Sequence, residues 1–210
     1  MTIKTFTFSP FQVNTYVVSD VTKEAVLIDA GCYTVQEQQI LKQYIDQNEL
    51  TLVRVINTHL HLDHHFGNKF IYDTYKIKPE AGEEDEFMIK GFQNMALFYR
   101  LSVGEAQELG KHIVDNEMIE FGNSSLVAIH APGHSPGSMM FYSEKDSILF
   151  AGDVLFQGSI GRTDLPNGDH ATLIKSLNEK VLPLPDSTVV YSGHGASTTI
   201  GEEKKSNPYL

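Results

Sequence analysis

The feature that most constrains this chain is a histidine-rich segment with the spacing H-x-H-x-D-H, which follows an apolar run at 52–56. Such a run predicts a buried strand, and residues two apart in an extended chain point the same way. His59 and His61 can therefore direct both imidazoles into one cavity. Asp63 and His64 follow where the chain should turn into a helix, and they can face that cavity from the opposite side. The segment thus predicts ligands for two cations rather than one.

Three further candidate ligands lie in separate loops at predicted strand ends, each directly after a glycine. They are His134, Asp153 and His194. Glycine permits positive φ and a sharp exit from a strand, which an exposed ligand at such a position needs. Neutral imidazole and carboxylate suit Zn²⁺ and, in the right geometry, iron or manganese. A histidine-rich surface loop is the alternative, but it does not account for the three later ligands, so we predict a metal site.

Hydrophobic periodicity predicts groups of strands with helices inserted between the groups. The predicted strands lie at 4–8, 15–19, 24–29, 52–57, 118–121, 125–130, 139–143, 148–151 and 188–191, and the predicted helices at 35–47, 67–75 and 171–181. Thr34 is the candidate N-cap of the first helix. This order indicates two sheets packed together with helices outside. Because no internal repeat or low-complexity linker interrupts the chain, we expect a single domain over residues 1–210.

Three stretches give weaker signals. The acidic run at 80–86 is expected to be solvated, and a long glycine-containing loop is expected at 156–169. The segment 87–101 is apolar on more than one helical face, and we favour a helix packed on the core. The alternative for this segment is a pocket wall or a subunit contact, and the sequence leaves the oligomeric state open.

Charge and composition exclude some classes of function. The formal net charge of −11 argues against a broad nucleic-acid interface, which needs clustered Lys and Arg. The single cysteine, Cys32, cannot form an intrachain disulfide, which fits a reducing compartment. The first residues lack the pattern of a signal peptide, and no apolar run approaches the length of a membrane span. We therefore expect a cytoplasmic protein with no membrane partner.

These motifs, taken in order, resemble the metallo-β-lactamase superfamily over nearly the whole chain. Within it the chain is most similar to the hydroxyacylglutathione hydrolases, also called glyoxalase II, and to their short, single-domain bacterial relatives. Two stretches carry that likeness, the loop GDVLFQGSIGRTDLP at 152–166 and the ending GEEKKSNPY at 201–209. The resemblance implies an α+β fold, an αββα sandwich of two mixed sheets with helices on the outer faces and the metals at one edge between the sheets.

The resemblance also implies a role for each candidate ligand. The first metal would be held by His59, His61 and His134, the second by Asp63, His64 and His194, and Asp153 would bridge the two. Asp29 resembles a family residue that supports the histidine-rich segment, although a plain turn residue would look the same in sequence. The other candidate histidines, His65, His130 and His170, are expected to have supporting, core or surface roles.

The chemistry that the resemblance implies is hydrolysis of a small thioester. Two cations that share a solvent molecule lower its pKa and supply hydroxide near neutral pH, and Asp63 is expected to orient this attacking group. Zinc is the favoured metal, with iron or manganese as alternatives. Arg162 matches a basic residue that contacts glutathione in these hydrolases, and an ordinary salt bridge to Asp164 is its alternative role. Cys32 lies outside every motif and is expected to be a small buried residue.

Two departures from the family pattern weaken the case for glutathione as the thiol carrier. The two-domain hydrolases have a C-terminal helical region with further glutathione contacts, and this chain is expected to lack it because it ends soon after His194. In addition, Gly195-Ala196 stands where those enzymes commonly carry a Glu-Tyr pair. Hydrolysis is therefore better supported than any particular thiol or acyl group.

Other functions on the same fold are less well supported. A persulfide dioxygenase would hold a single iron through His59, His134 and Asp153, but such enzymes typically read R-G-C-G-R-T-D-F where this chain reads QGSIGRTDL. Class B β-lactamases commonly carry cysteine at the position of Asp153, and nucleases would want a basic surface. A non-catalytic binding protein would usually lose ligands, and this chain has the full set.

Overall fold

The first half of the chain forms a six-stranded sheet in the computed structural model, which describes all residues 1–210. Its strands lie in chain order as β1 (Thr2–Phe8), β2 (Val13–Ser19), β3 (Glu24–Ile28), β4 (Thr51–Ile56), β5 (Glu80–Ala81) and β6 (Lys111–His112). The pairs from β1 to β3 are antiparallel and the pairs from β3 to β6 are parallel. The sheet is therefore mixed, and β1 lies at its edge as the pattern at 4–8 predicts.

The second half forms another six-stranded sheet and a small hairpin. The strands are β7 (Met118–Phe121), β8 (Ser124–His130), β9 (Met139–Ser143), β10 (Ile148–Gly152), β11 (Leu155–Phe156), β12 (Ser159–Ile160), β13 (Val189–Ser192) and β14 (Thr198–Thr199). The order along the sheet is β14-β13-β10-β9-β8-β7, in which only β10 and β13 pair in parallel. Strands β11 and β12 form the separate hairpin.

Four of the five helices cover the outer faces of the two sheets, and the third in chain order packs on the histidine-rich segment. They are α1 (Val35–Gln47), α2 (Asn68–Tyr75), α3 (Phe87–Phe98), α4 (His170–Ser176), which continues as a π-helical turn at Leu177–Val181, and α5 (Ile200–Ser206). Buried Leu41 of α1 and Ile71 of α2 pack on the first sheet, while Leu173 of α4 and Ile200 of α5 pack on the second. None of these helices combines the length and the apolar character that crossing a bilayer requires.

The interior between the sheets explains why the central strands read as continuous apolar runs. Val18 of β2 and Val26 of β3 belong to the cluster between the sheets, together with Phe150 of β10. Their neighbours Val17 and Leu27 belong to the cluster under α1 and α2. Because successive strand residues point to opposite faces, a strand that is covered on both sides is apolar throughout. Helix, sheet, sheet and helix form four layers, which confirms the predicted αββα sandwich.

The predicted elements agree with the structure wherever they are long enough to show a period. Thr34 caps α1 as predicted, since its side chain accepts from Glu37 N and the Glu37 side chain accepts from Thr34 N in return. Strands β5, β6, β11, β12 and β14 were not predicted, because two residues show no periodicity. The helix predicted at 171–181 changes after Ser176 into the π-helical turn, and the loop predicted at 156–169 contains most of the β11–β12 hairpin.

The acidic run at 80–86 is solvated only in part, which corrects the prediction. Glu83, Glu84 and Glu86 are exposed, but Glu80 and Asp85 are buried. Glu80 accepts a hydrogen bond from Arg54 Nε at 3.1 Å, so its charge is paired away from water. Composition alone does not separate the two buried carboxylates from their exposed neighbours.

Helix α3 packs on the rest of the protein by a narrow stripe. Phe92 and Ala96 are its buried residues, and they pack with Leu62 of the histidine-rich segment. Leu97 and Phe98 are 73% and 76% exposed. The helix predicted within 87–101 is therefore confirmed, but only part of its apolar surface lies in the core.

The C-terminal helix α5 holds the β11–β12 hairpin in place. Glu203 is fully buried. Its carboxylate accepts hydrogen bonds from three donors, Gly158 N, Thr198 Oγ1 and Asn207 Nδ2, at 2.8, 2.5 and 2.8 Å. Asn207 also donates to Ser159 O at 3.0 Å. The ending GEEKKSNPY was not predicted as a helix because it is mostly polar, yet it supplies the residues that fix this hairpin.

Replacing Glu203 by alanine is expected to lower the free energy of unfolding by about 2–4 kcal/mol, because three donors lose their buried acceptor. Urea denaturation followed by circular dichroism measures this change. Glu202→Ala is the matched control, since Glu202 is the preceding residue of α5 and is exposed. Equal stability of the two variants would contradict a structural role for Glu203.

Candidate metal centre

The candidate ligands extend from strand ends in both sheets. The metal loop, residues 57–68, leaves β4 and then makes a single 3₁₀ turn at Leu62–His65, where the sequence predicted the chain to turn into a helix. His61, just before that turn, has extended backbone with φ −64° and ψ 148°. The later candidates follow β8, β10 and β13 of the second sheet, and they are His134, Asp153 and His194.

The structure brings all seven candidate ligands together. Three groups of donors have ligand atoms within 4.8 Å of one another, and they are His59, His61 and His134; His59, His64 and Asp153; and Asp63, His64 and His194. The first and third groups are the predicted sets for two metals. Asp153 lies between them, because its Oδ2 is 3.5 Å from His134 Nε2 and 3.6 Å from His194 Nε2. One carboxylate thus faces a member of each set.

Unpaired buried atoms in this cluster fit a bound cation. His61 Nε2, His64 Nε2 and Asp153 Oδ1 are buried without a hydrogen-bond partner. Buried polar atoms are nearly always paired, so three such atoms in one cluster require an explanation. Imidazole nitrogens and carboxylate oxygens are donors that zinc, iron and manganese accept. The residues present therefore fit divalent metals, and the assignment of each ligand to a metal stays a prediction.

Burial sets the charge of two imidazoles in the first set, those of His59 and His61. It holds the pKa of His59 well below its usual range, with smaller contributions from His64 and His61. Burial also lowers the pKa of His61 to about 3, together with the charge of His134. Both rings are therefore neutral near neutral pH, which is the form in which an imidazole nitrogen binds a metal.

Carboxylates dominate the other side of the cluster. Burial alone would lower the pKa of His64, but three carboxylates raise it well above its usual value. They belong to Asp29, Asp153 and Asp63. Burial opposes ionisation of Asp153 as well, yet His64 holds its pKa below the usual range. One imidazole among three carboxylates leaves negative charge that a divalent cation would balance.

Asp29 ties the metal loop to the end of β3. Its Oδ1 accepts from Thr58 N and its Oδ2 from Thr58 Oγ1, both at 2.7 Å. The same Oδ2 lies 2.9 Å from His64 Nδ1, a contact that orients the ring so that Nε2 faces the cluster. Asp29 also has a φ of 54°, so it turns the chain at this point. The supporting contact and the turn, which the sequence left as alternatives, therefore occur together.

A second buried carboxylate, Asp85, was not predicted as a site residue. Its Oδ1 accepts from Gly137 N at 2.7 Å. Its Oδ2 accepts from Ser135 Oγ at 2.8 Å and from Leu60 N at 3.2 Å. Asp85 thereby joins the metal loop of the first sheet to the loop that carries His134. It was missed because it lies in the acidic run at 80–86, where its neighbours are solvated.

The glycines before the three later ligands are required for two different reasons. Gly133 and Gly152 have φ values of 133° and 51°, as the sequence predicted. Gly193 has no positive φ, which corrects the expectation for that position. A Cβ at Gly193 would lie 2.1 Å from Asp153 Oδ1, so glycine is needed there for the close approach of Asp153.

The cluster opens into a cavity of about 740 Å³, which we call the metal cavity. Apolar side chains form much of its wall, among them Phe11, Met95, Tyr99, Phe156, Ile160 and Leu165. Arg162 also lines it, and its Nε and Nη2 donate to the carboxylate of Asp164 at 2.7 Å each. Both members of this pair are exposed. The salt bridge considered as the alternative role of Arg162 is therefore present beside the cavity.

The four remaining histidines and the cysteine lie outside the three donor groups, and His112 Nε2 lies 3.0 Å from a carboxylate oxygen of Glu86. His65 is buried against Phe92, with ring centroids 4.7 Å apart. His130 Nε2 lies 2.8 Å from a backbone carbonyl, and His170 is exposed at the start of α4. Cys32 is buried, and burial raises the pKa of its thiol to about 12. A thiol in that state is a poor nucleophile near neutral pH.

Comparisons with known proteins find the same family over most of the chain. The model of the metallo-beta-lactamase superfamily matches residues 8–194. The chain is 36% identical to hydroxyacylglutathione hydrolase GloC of Haemophilus influenzae, over 100% of this chain and 98% of GloC. Among solved structures, BLEG-1, described as a B3 metallo-beta-lactamase, is 35% identical with a TM-score of 0.91 over 100% of this chain and 99% of its own. TTHA1623, solved in a di-iron-bound form, is 31% identical with a TM-score of 0.86 over 100% of both chains.

Asp29→Asn is expected to weaken metal binding by about tenfold or more, because an amide cannot accept all the hydrogen bonds that orient Thr58 and His64. Asparagine tolerates the positive φ of this position, so the fold should be retained. Competition with a chromophoric chelator measures the affinity. Asp46→Asn, on the exposed face of α1, is the control that should bind metal as the unaltered protein does. The same affinity in both variants would show that Asp29 does not support the site.

Proposed function

The chain belongs to the metallo-beta-lactamase superfamily, and we propose that it is a dinuclear metal-dependent hydrolase of small thioesters, similar to the hydroxyacylglutathione hydrolases. The observation that carries this proposal is the meeting of two donor sets on either side of Asp153, where the cluster opens into the metal cavity. The identity of 36% with GloC over nearly the full length of both chains supports a thioester as the substrate.

In this proposal each side chain of the cluster has a defined role. The first metal would be held by His59, His61 and His134, the second by Asp63, His64 and His194, and Asp153 would contribute to both. Two such cations, when bound, lower the pKa of a shared water and polarise a carbonyl oxygen. Zinc is the proposed metal, with iron or manganese as alternatives, and the di-iron-bound form of TTHA1623 is a reason to keep iron among them.

The surrounding residues orient the reacting groups and limit the access of water. Asp63 is proposed to orient the attacking water as a hydrogen-bond acceptor, and its Oδ2 is placed 3.2 Å from His194 Nε2. Asp29 keeps the buried ring of His64 from rotating. The apolar wall, with Phe11 and Ile160, reduces solvent around the carbonyl, which strengthens the electrostatic interactions of the site. A thioester suits such a site because thiolate leaves readily.

The proposed partner is a small molecule, and neither nucleic acid nor a membrane is proposed as one. The formal net charge of −11 supports this choice. A cytoplasmic setting and a single domain over residues 1–210 belong to the same proposal, the former supported by the lone buried cysteine.

Hydrolysis of a β-lactam is a second candidate, because BLEG-1 is described as a B3 metallo-beta-lactamase and matches this chain along its full length. A lactam also presents a carbonyl carbon to an attacking water. The likeness of the stretches at 152–166 and 201–209 to the hydroxyacylglutathione hydrolases places this candidate second.

Assays of the metal-loaded protein compare the candidates directly. The substrates are S-lactoylglutathione, the S-acetyl ester of N-acetylcysteamine and a chromogenic cephalosporin. We expect both thioesters to be hydrolysed, with a kcat/KM above that of the cephalosporin. Turnover of the cephalosporin alone would favour the second candidate. Oxygen uptake with glutathione persulfide, by protein that holds one iron, would favour the dioxygenase instead.

Asp63→Ala should lower kcat for thioesters by about a hundredfold or more, because the attacking water loses the carboxylate that orients it. The fold should survive, since this residue lies in a loop at the edge of the sheets. Asp73→Ala, on the exposed face of α2, is the control and should keep full turnover. Unchanged turnover in Asp63→Ala, at confirmed metal content, would show that the second donor set does not take part in catalysis.

Arg162 and Asp164 are expected to change the affinity for carboxylate-bearing thioesters in opposite directions. Arg162→Ala removes a cation that faces the cavity, and Asp164→Ala frees the same cation from its partner. Because the pair is exposed and screened by solvent, KM should rise or fall by about two- to fivefold. Neutral thioesters serve as the control substrates and should show smaller changes. Equal effects on charged and neutral substrates would contradict substrate binding by Arg162.

A further inference from the structure

A second, smaller pocket lies beside the metal cavity, and we call it the side pocket. Its volume is about 120 Å³. Helix α3 forms one wall with Met88, Gly91, Phe92 and Met95, and the metal loop forms another with Leu60 and Leu62. No Asp, Glu, Lys or Arg lines it. The side pocket is therefore an apolar space between α3 and the metal loop.

The side pocket adjoins the metal cavity. His61, Leu62, Met95 and Pro166 line both spaces. His61 is one of the candidate metal ligands, so a carbonyl group held at the cluster has the side pocket directly next to it. Met95 is 40% exposed, and its unbranched side chain can adjust to a group that passes from one space to the other.

We propose that the side pocket binds the apolar acyl chain of the thioester substrate, a straight chain of about four to six carbons. This inference rests on the proposed function and names the acyl group that the function leaves open. The size follows from the volume, because an apolar cavity of about 150 Å³ binds a molecule the size of benzene. The acyl chain and the thiol sulfur both attach to the carbonyl carbon, so the acyl chain can enter the side pocket beside His61 while the carrier stays in the metal cavity.

The polar and charged groups of a thiol carrier favour the metal cavity over the side pocket. A carrier such as glutathione has carboxylates and amides, and an unpaired polar group in an apolar pocket is strongly disfavoured. The metal cavity offers Gln157 and Arg162, whereas the polar side chains of the side pocket are the imidazoles of His61 and His65. The larger and more polar space therefore suits the carrier, and the smaller one suits an alkyl chain.

Gly91 lines the side pocket without a side chain. It lies three residues after Met88 and four before Met95, so these residues share one face of α3. A Cβ at Gly91 would meet nothing within 4 Å. The space around Gly91 is therefore open, and a side chain can be introduced there without a backbone clash. A larger side chain at this position would extend into the side pocket.

The test measures kcat/KM for N-acetylcysteamine thioesters with acetyl, butanoyl, hexanoyl and octanoyl groups. Since each buried methylene contributes roughly fourfold, kcat/KM should rise by at least about tenfold from acetyl to hexanoyl and stop rising at octanoyl. Gly91→Leu should reduce the hexanoyl-to-acetyl ratio to about one, because leucine fills the pocket. Gln93→Leu, on the exposed opposite face of α3, is the matched control and should keep the ratio of the unaltered protein. A flat series, or an unchanged ratio in Gly91→Leu, would overturn the assignment.

A binding measurement separates failure of this inference from failure of the proposed function. S-hexyl-N-acetylcysteamine, a thioether that cannot be hydrolysed, is titrated into protein with ¹³C-labelled methionine methyl groups. Shifts at Met88 and Met95, absent at Met118 of β7 and lost in Gly91→Leu, would support the side pocket even if no thioester were hydrolysed. That combination would refute only the proposed function. Absence of these shifts would overturn the side-pocket assignment whatever the hydrolysis assays show.

Discussion

The candidate metal centre requires carboxylates and buried imidazoles to lie close together at the edge where the two sheets meet. Asp153 is in contact with members of both donor sets, and such a group of charges and lone pairs does not assemble without support. Asp29 anchors the metal loop, Asp85 joins it to the loop of His134, and Gly193 lets Asp153 approach. Each supports the cluster from outside it. The sandwich supplies the rigid strand ends on which these supports act.

The sequence was most informative about the candidate metal ligands, because their positions follow from short local spacings. The alternation of His59 and His61 follows from one extended stretch, and the positive-φ glycines before His134 and Asp153 each follow from one turn. Asp85 and Glu203 could not be predicted in this way, because each accepts a hydrogen bond from a backbone N–H about fifty residues away along the chain, at Gly137 and Gly158. Composition predicts that both carboxylates are exposed to solvent. The order of strands and helices indicated the layers of the fold. Strands of only two residues could not be predicted, because they are too short to show a hydrophobic periodicity.

The chemistry and the selectivity of the site come from different parts of the fold. The donor cluster is held by buried hydrogen bonds at the edge of the sheets, and in the proposed function it determines which bond can be attacked. The walls of the cavities come from α3, the β11–β12 hairpin and the loop around Arg162. Helix α3 packs through a narrow buried stripe, and the hairpin is held largely by Glu203 and Asn207. The sequence of these elements can therefore change without disturbing the donor cluster. In this way the same metal chemistry can act on different substrates.

The central claim is that one chain holds two metals with Asp153 between them. Anomalous X-ray diffraction from crystals of the metal-loaded protein, collected at the absorption edge of the bound element, tests it most directly. The account predicts two anomalous peaks per chain, about 3.5 Å apart, with Asp153 in contact with both. A single peak at His59, His134 and Asp153, with Asp63 and His64 turned away from it, would contradict the account.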